Sequence, residues 1–559
     1  MSRSGCILFV IQIVNIAQLA TCFNLTILHT NDLHSAFEQF NAYNLPCSED
    51  DIERKTCFGG VARRATVVKE IRRENEGVLL LDAGDAFQGS AWFNVYRGAA
   101  ASYFMNLLQY DAMAIGNHEL DKGVAGFVPF LKAVNFPVLS CNIDATDEPS
   151  IDGLFKSSVV KKVGAESIGI IGYTTARAPV LTKTGTNLKF EDEAQALQRE
   201  VDLLIDQGID KIIAVGHSGY GVDLDIAKKV NGIDVIVGGH TETFLYTGTP
   251  PSTEIPSGPY PTVVSSEENP DHKTLVVSDY SHGKYLGFLQ VTFDRDGVIL
   301  RYQGNPILLD SSIKQDKDTL AEIEKMRIPV LMYLPEVIGE SYVLLIGSDD
   351  ICNIEECSPG NLIADALIWA GLPYKGEDGW SDTAVALVNS GGVRNSLNTG
   401  NIIERDVKAM YPFEDHLVKM DLLGRHLMET LEHGVSVLGT FHQVGEFLQV
   451  SGLIVTYDMS KRPGQRVVSV LVRCSSCLEP DYEPLDPEQT YRVIVPSFIS
   501  SGGDGFKVLV ENGLNVIDTG ISTSSAIINY ITQRSPIIQG KERRLTLINV
   551  PKESFLTGI

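Results

Sequence analysis

Met113-Ala114-Ile115-Gly116-Asn117-His118-Glu119-Leu120-Asp121 is the stretch on which the fold and chemistry of this chain turn. A short apolar run stops at a glycine and opens into amide, imidazole and carboxylate side chains. Similar junctions occur four more times. Thr26-Ile27-Leu28-His29-Thr30-Asn31-Asp32-Leu33-His34 ends in Asp32 and His34, and Leu79-Leu80-Leu81-Asp82-Ala83-Gly84-Asp85 in Asp85. Ile213-Ala214-Val215-Gly216-His217 ends in His217, and Val235-Ile236-Val237-Gly238-Gly239-His240-Thr241-Glu242 in His240 and Glu242. In an open α/β sheet, side chains from different strands converge beyond the strands' carboxyl ends. A glycine just ahead of a ligand is expected to let the backbone turn tightly and approach an ion.

Mixed carboxylate, imidazole and amide donors suit borderline ions such as Zn²⁺ or Mn²⁺ better than a thiolate site or an all-oxygen calcium cage. The expected cofactor is a pair of divalent ions, zinc first, with Mn, Ca or Mg as alternatives. So many ligands call for two ions sharing Asp85, at a spacing of roughly 3.5–4 Å. Each part alone says little: an Asp-x-His is commonly a solvated turn, and His217 alone would be an ordinary loop histidine. Five strand ends together carry the inference. Asp82 is read as structural, and His29, His272 and His282 are set aside because no cluster surrounds them.

Around these junctions, from residue 24 to about 310, apolar β-rich runs (25–28, 78–81, 112–115, 168–171, 212–215, 235–237) alternate with amphipathic stretches. In 193–205, Ala196, Leu197, Val201, Leu204 and Ile205 share one helical face. The alternation reads as layered α/β. A Gly/Pro/Ser-rich insert at 247–261 is expected to be a surface loop. The expected organisation is a leader at 1–22, a dimetal domain at 23–310, a helical linker at 311–335 and a substrate-binding domain at 336–550. The last opens with a helix over 360–367 and includes strands at 384–388 and 492–495.

Composition bounds the function. The 559 residues hold 46 Lys+Arg against 71 Asp+Glu, a net charge of −25, and are 44% hydrophobic and 21% charged. That is globular, not disordered or fibrous. It argues against a broad basic nucleic-acid surface, so no nucleic-acid partner is expected. The length favours more than one domain.

Arg3, the apolar run to Ala20 and the small residues Ala20 and Cys22 follow the order of a secretory signal cut after residue 22. No later stretch resembles a membrane span, and residues 543–559 lack the apolar tail of a lipid-anchor signal, so a secreted, extracellular protein is expected. With Cys6 and Cys22 gone, seven of nine cysteines remain. Cys47 with Cys57, Cys352 with Cys357 and Cys474 with Cys477 suggest local disulfides in an oxidising space; free thiols or a zinc knuckle are the alternatives. Cys141, in an apolar context, is expected to be a buried thiol.

Taken together, Asp32-x-His34, Gly84-Asp85, Gly116-Asn117-His118-Glu119-x-Asp121, Gly216-His217 and Gly239-His240 resemble the metallophosphoesterase domain of secreted and ecto-5′-nucleotidases. The resemblance continues through Asn389-Ser390-Gly391-Gly392-Val393-Arg394 and Gly502-Gly503-Asp504-Gly505-Phe506 and covers essentially the whole mature chain. It implies an N-terminal α/β/β/α sandwich and a C-terminal α/β nucleotide-binding domain, with the active site between them. It also implies a swing of the C-terminal domain that carries substrate to the metals. Asp32, His34, Asp85, Asn117, His217 and His240 would serve the metal pair, and His118, steered by Asp121, would be the catalytic histidine. Asn389 and Arg394 would hold phosphate, Phe413 and Phe498 would sandwich the base, and Asp504 would take the ribose hydroxyls.

Two positions depart from the family. Asn353 stands where relatives often carry an arginine, and Glu242 where they place an amide. A further disulfide of vertebrate relatives is missing, because Ala364 and Leu387 occupy its positions. With no anchor signal, the chain is most similar to salivary apyrases of blood-feeding arthropods. The activity expected first is therefore apyrase (ATP and ADP to AMP), with removal of platelet-activating ADP as its role. The alternatives are a 5′-nucleotidase making adenosine from AMP and a catalytically silent nucleotide scavenger.

Overall fold

The computed structural model describes residues 22–372, 379–440, 442 and 445–550. The expected leader, apart from Cys22, and the tail from 551 lie outside the described residues.

The first half is built on two sheets facing each other. One has the strand order Ile299–Gly304, Tyr285–Phe293, Phe23–Thr30, Val78–Asp82, Ala112–Ala114, Val138–Leu139. The other runs Thr262–Ser265, Lys273–Val277, Val235–Gly238, Ile212–His217, Glu166–Thr174, Ser158–Val163. Successive side chains of a strand point to opposite faces, and here both faces are covered. Leu25, Ile27, Leu79 and Leu81 point between the sheets toward Ile168, Ile170 and Val237. Leu28, Leu80 and Met113 instead meet Val61, Phe104 and Phe127 on the helices Val61–Glu74, Gly98–Leu108 and Gly123–Ala133. Burial on both faces explains why these strands read as continuous apolar runs rather than alternating ones.

On the far side, Leu197, Val201 and Leu204 of the helix Glu193–Asp206 seal the second sheet. The result is the expected four-layer sandwich. Truncating one of these fully buried aliphatics to alanine should cost about 2–5 kcal/mol.

The central strands are parallel in each sheet, so their carboxyl ends share one rim. Phe23–Thr30, Val78–Asp82 and Ala112–Ala114 run together, as do Glu166–Thr174, Ile212–His217, Val235–Gly238 and Lys273–Val277.

The helix Lys317–Leu331 leads out of this half while packing onto it. Ile323 and Val330 join the helical layer, Lys69 pairs with Asp316 at 2.6 Å, and Tyr96 donates to Met326 O at 2.8 Å. The second half has a five-stranded sheet, ordered Leu448–Ser451, Val385–Asn389, Thr490–Pro496, His416–Leu423, Leu514–Ser522, and a separate four-stranded sheet. Its helix Ser358–Gly371 is almost wholly buried. Val385–Asn389 and Thr490–Pro496 are parallel neighbours, so the segments after both open at one edge, facing the rim of the first half.

A cleft of about 1540 Å³ lies between the halves. Residues 253–257 of the insert line it, so that loop is a wall of the cleft as well as a surface feature. All three proposed cysteine pairs are bonded. Cys141 is free and half-buried, and burial pushes its thiol up to about 12.

Candidate active site

The rim brings the sequence-selected residues of the first half into one cluster. Asp85, His217 and His240 place ligand atoms within 4.8 Å of one another, and so do Asp32, His34 and Glu242. The two groups touch, with His217 Nε2 3.9 Å from Asp32 Oδ1. Asn117 lines the cleft beside them.

The backbone does part of the aiming. Asp32, His34, Asp85, His240 and Glu242 have φ of 49°, 47°, 58°, 82° and 50°. Non-glycine residues rarely adopt this left-handed region, and such strain concentrates at functional sites. The expectation that glycines make the turns therefore needs correction. Gly84 does have φ 93°, but Gly116 serves close approach: a Cβ there would stand 2.2 Å from Asp85 Oδ1. Much of the turning falls on the ligands themselves. Glu119, which the sequence reading passed over, ties the loops together. Its carboxylate accepts from Gly116 N at 2.7 Å, Asp85 N at 3.0 Å and Phe87 N at 3.2 Å. Asp82 is structural as expected, accepting from Thr30 Oγ1 at 2.6 Å and Gly84 N at 3.0 Å.

The donor chemistry fits metal ions. A carbonyl only accepts, so His34 Nδ1 donates to Gln88 O (2.8 Å) and His217 Nδ1 to Ala83 O (2.8 Å). Each Nε2 lone pair is thereby turned into the cluster, the usual orientation of a metal-binding imidazole. His217 Nε2 then faces Asp85 Oδ2 at 2.9 Å, an acceptor against a carboxylate. Asn117 Oδ1 and His217 Nε2 are buried without a hydrogen-bond partner. Burial alone would lower the His217 pKa, yet Asp85 and Asp32 push it up to about 10, so this nitrogen calls for a cation. Burial in turn raises the Asp32 carboxyl to about 6.

His118 stands at the edge of the cluster, its Nε2 3.9 Å from Asp85 Oδ2. Its Nδ1 donates to Asp121 Oδ2 at 2.8 Å. Burial works against the imidazolium, but Asp121 and then Asp85 push its pKa up to about 9.

The second half supplies the facing groups. Arg394, nearly buried, places Nη2 3.1 Å from His34 Nε2 and 3.8 Å from Glu242 Oε1. Asn389 donates to Asp504 Oδ2 at 2.7 Å, and Asp504 has φ 51°. The Phe413 ring lies 6.1 Å from the His118 ring, and Phe498 lines the same cleft. Asn353 and Lys541 line it too.

One exclusion is overturned. His282, set aside for want of a cluster, is buried with its ring 5.5 Å from that of His34, and its backbone N–H donates to Asp32 O at 2.8 Å. It follows the strand Lys273–Val277, a further strand end on the rim. The apolar run Leu275-Val276-Val277 before Ser278-Asp279 was the signal that could have found it.

A four-layer sandwich whose strand ends gather two such triads beside a histidine–aspartate pair defines a metallophosphoesterase. Residues 25–243 match the calcineurin-like phosphoesterase family, and residues 337–511 match the 5′-nucleotidase C-terminal domain. The chain is 45% identical to 5′-nucleotidase of Bos taurus, over 94% of this chain and 91% of that one. It is 43% identical to snake venom 5′-nucleotidase of Naja atra, over 94% and 98%. Among solved structures, the 5′-nucleotidase precursor of Thermus thermophilus superposes with a TM-score of 0.85 at 40% identity, covering 95% of this chain and 100% of that one. The chain belongs to the 5′-nucleotidase family. It is a hydrolase acting on nucleotides with two divalent metal ions.

Proposed function

We propose that this chain is a 5′-nucleotidase that removes phosphate from nucleoside 5′-monophosphates, converting AMP to adenosine. The observation carrying this choice is the near full-length similarity to proteins named 5′-nucleotidase, which favours it over the apyrase activity placed first by the sequence. The 6.1 Å between the rings of His118 and Phe413 puts the candidate base clamp beside the candidate catalytic histidine, as a nucleotide substrate requires.

In this reading Asp85, His217, His240 and Asn117 would hold one ion, and Asp32, His34 and Glu242, with Asp85 between the two groups, would hold the other. When bound, the ions would supply water of lowered pKa and positive charge at the attacked phosphate. Water oxygen bonds to phosphorus as the bond to O5′ breaks; of the water's two protons one ends on O5′, giving the nucleoside hydroxyl, and the other stays with the released phosphate. His118, held as imidazolium with its Nδ1 proton on Asp121, stabilises charge growing on the phosphoryl oxygens. Arg394 and Asn389 grip phosphate, the guanidinium offering a forked set of donors. Phe413 and Phe498 stack the base and tolerate several bases for that reason. Asp504 accepts from the ribose hydroxyls.

The location we propose is extracellular. The leader-like N-terminus, three disulfides and the similarity to venom proteins support it. Among the described residues no helix is long and apolar enough to cross a membrane.

The test is to incubate pure protein separately with AMP, ADP and ATP, with and without chelator, and identify products. Adenosine and phosphate from AMP, abolished by chelator, is the expected result. Turnover of ADP and ATP with AMP untouched would establish the apyrase instead, and stoichiometric binding without phosphate release would establish the scavenger.

A further inference from the structure

Asp121 has two carboxylate oxygens, and the candidate dyad uses only one. Oδ2 accepts from His118 Nδ1, while Oδ1 accepts from Thr182 Oγ1 at 2.8 Å. Thr182 lies 61 residues further along, in the loop between the strands Glu166–Thr174 and Lys189–Phe190.

This loop starts inside the metal rim: Thr174 is the register partner of His217, and Thr175 N donates to His217 O at 2.9 Å. Its base is pinned where Glu193 accepts from Ala176 N at 2.8 Å and from Ser218 Oγ at 3.1 Å. Its one-turn helix, Ala178–Leu181, packs on the Gly503–Gly505 turn of the other half, which carries Asp504. Just before that helix, Arg177 Nη2 meets Glu446 Oε1 at 3.0 Å. Glu446 is buried, so the loop is docked on the substrate half by an ion pair with one end out of water. Burial and then Glu446 push the Asp504 carboxyl up to about 7, and Arg177 opposes that rise, so the same guanidinium acts on the residue assigned to the ribose.

We propose that residues 175–184 form a positioning arm, in which Arg177 docks on Glu446 of the substrate half and Thr182 fixes Asp121 so that His118 is aimed at the phosphate. A carboxylate held at one oxygen can rotate about its Cβ–Cγ bond; held at both, it keeps the imidazole plane fixed. Thr182 touches neither phosphate nor metal ligand. It acts through Asp121 and is a positioning residue for the hydrolysis proposed above, on which this inference rests.

The experiment compares Thr182→Val, Thr182→Ser and Arg177→Met in the full-length, metal-loaded protein, with AMP as substrate and circular dichroism to confirm folding. Valine keeps the volume and removes the hydroxyl donor to a charged acceptor, so kcat should fall about tenfold. KM should stay within about twofold, because the base and phosphate contacts are untouched. Serine restores the donor and should recover kcat to within about twofold of the wild type. Arg177→Met should lower kcat severalfold, and combining it with Thr182→Val should cost less than the product of the two effects, since both act through one loop.

Wild-type kcat in folded Thr182→Val, or a loss that serine does not recover, would overturn the arm. A loss appearing only in KM would overturn it as well. Failure of the wild-type protein itself to release phosphate from AMP would instead count against the proposed activity, so the two failures read separately.

Discussion

The two walls of the cleft are made in different ways. The metal wall draws on the ends of several parallel strands in two sheets, and its donors are nearly sealed from water: Asp32, Asp85 and His217 are 1%, 2% and 0% exposed. The substrate wall hangs from the ends of two parallel strands and the start of the antiparallel strand His416–Leu423, and its two aromatic residues are only half-buried. The metal wall is acidic, with three carboxylates whose charge is met by imidazoles and ions, whereas the substrate wall brings Arg394. The difference teaches that one wall is an interdependent cluster and the other a set of separable contacts. Substitutions in the first should be all-or-none, and those in the second graded.

The sharpest way to break that contrast is Asp85→Ala. Losing the carboxylate proposed to serve both ions should abolish turnover and lower bound metal, read by phosphate release and metal analysis together. Wild-type turnover in that variant would remove the bridging role. His118→Ala comes next. It should lower kcat by about 10²–10⁴-fold while metal content stays at the wild-type level, because His118 flanks the cluster without joining it. Coincident loss of metal would make it a ligand instead.

On the substrate wall, Phe413→Ala should raise KM roughly tenfold for every nucleoside monophosphate while changing kcat little, as expected for the loss of one stacking face. An unchanged KM would take Phe413 out of the base clamp.

The smallest expected effect is on pH. With the His118 pKa pushed up to about 9 by Asp121 and Asp85 against burial, the imidazolium is present through neutral pH and lost as pH rises through about 9. The rate should fall along that alkaline limb. Asp121→Asn removes the charge that sustains the raised value, so the limb should move to lower pH in a pH–rate profile. A limb that stays in place would mean some other group sets it.

Much of the metal wall was legible because each contribution is local. An apolar run followed by a polar cluster is visible within a single short stretch, as in Met113 to Asp121, and recurs often enough to exclude coincidence. The groups that were missed act at a distance. His282 carries no cluster in sequence and reaches His34 only because Lys273–Val277 joins the sheet parallel to its neighbours. Glu119 sits inside a quoted motif, but its work is to accept backbone N–H groups from a loop 32 to 34 residues away. The substrate wall was legible mainly through family likeness, since an isolated phenylalanine such as Phe413 or Phe498 is more often core.

The amino-acid sequence alone pointed to the layered architecture, the metal-binding vocabulary and the local pairing of the cysteines, because periodicity, donor type and spacing are properties of neighbouring residues. Tertiary structure alone decided which donors lie within reach of one another, that the candidate ligands rather than their glycines carry much of the turning, and that Arg177 and Glu446 join the two walls. Those outcomes depend on strand order and on how the halves meet, which bring together atoms far apart along the chain.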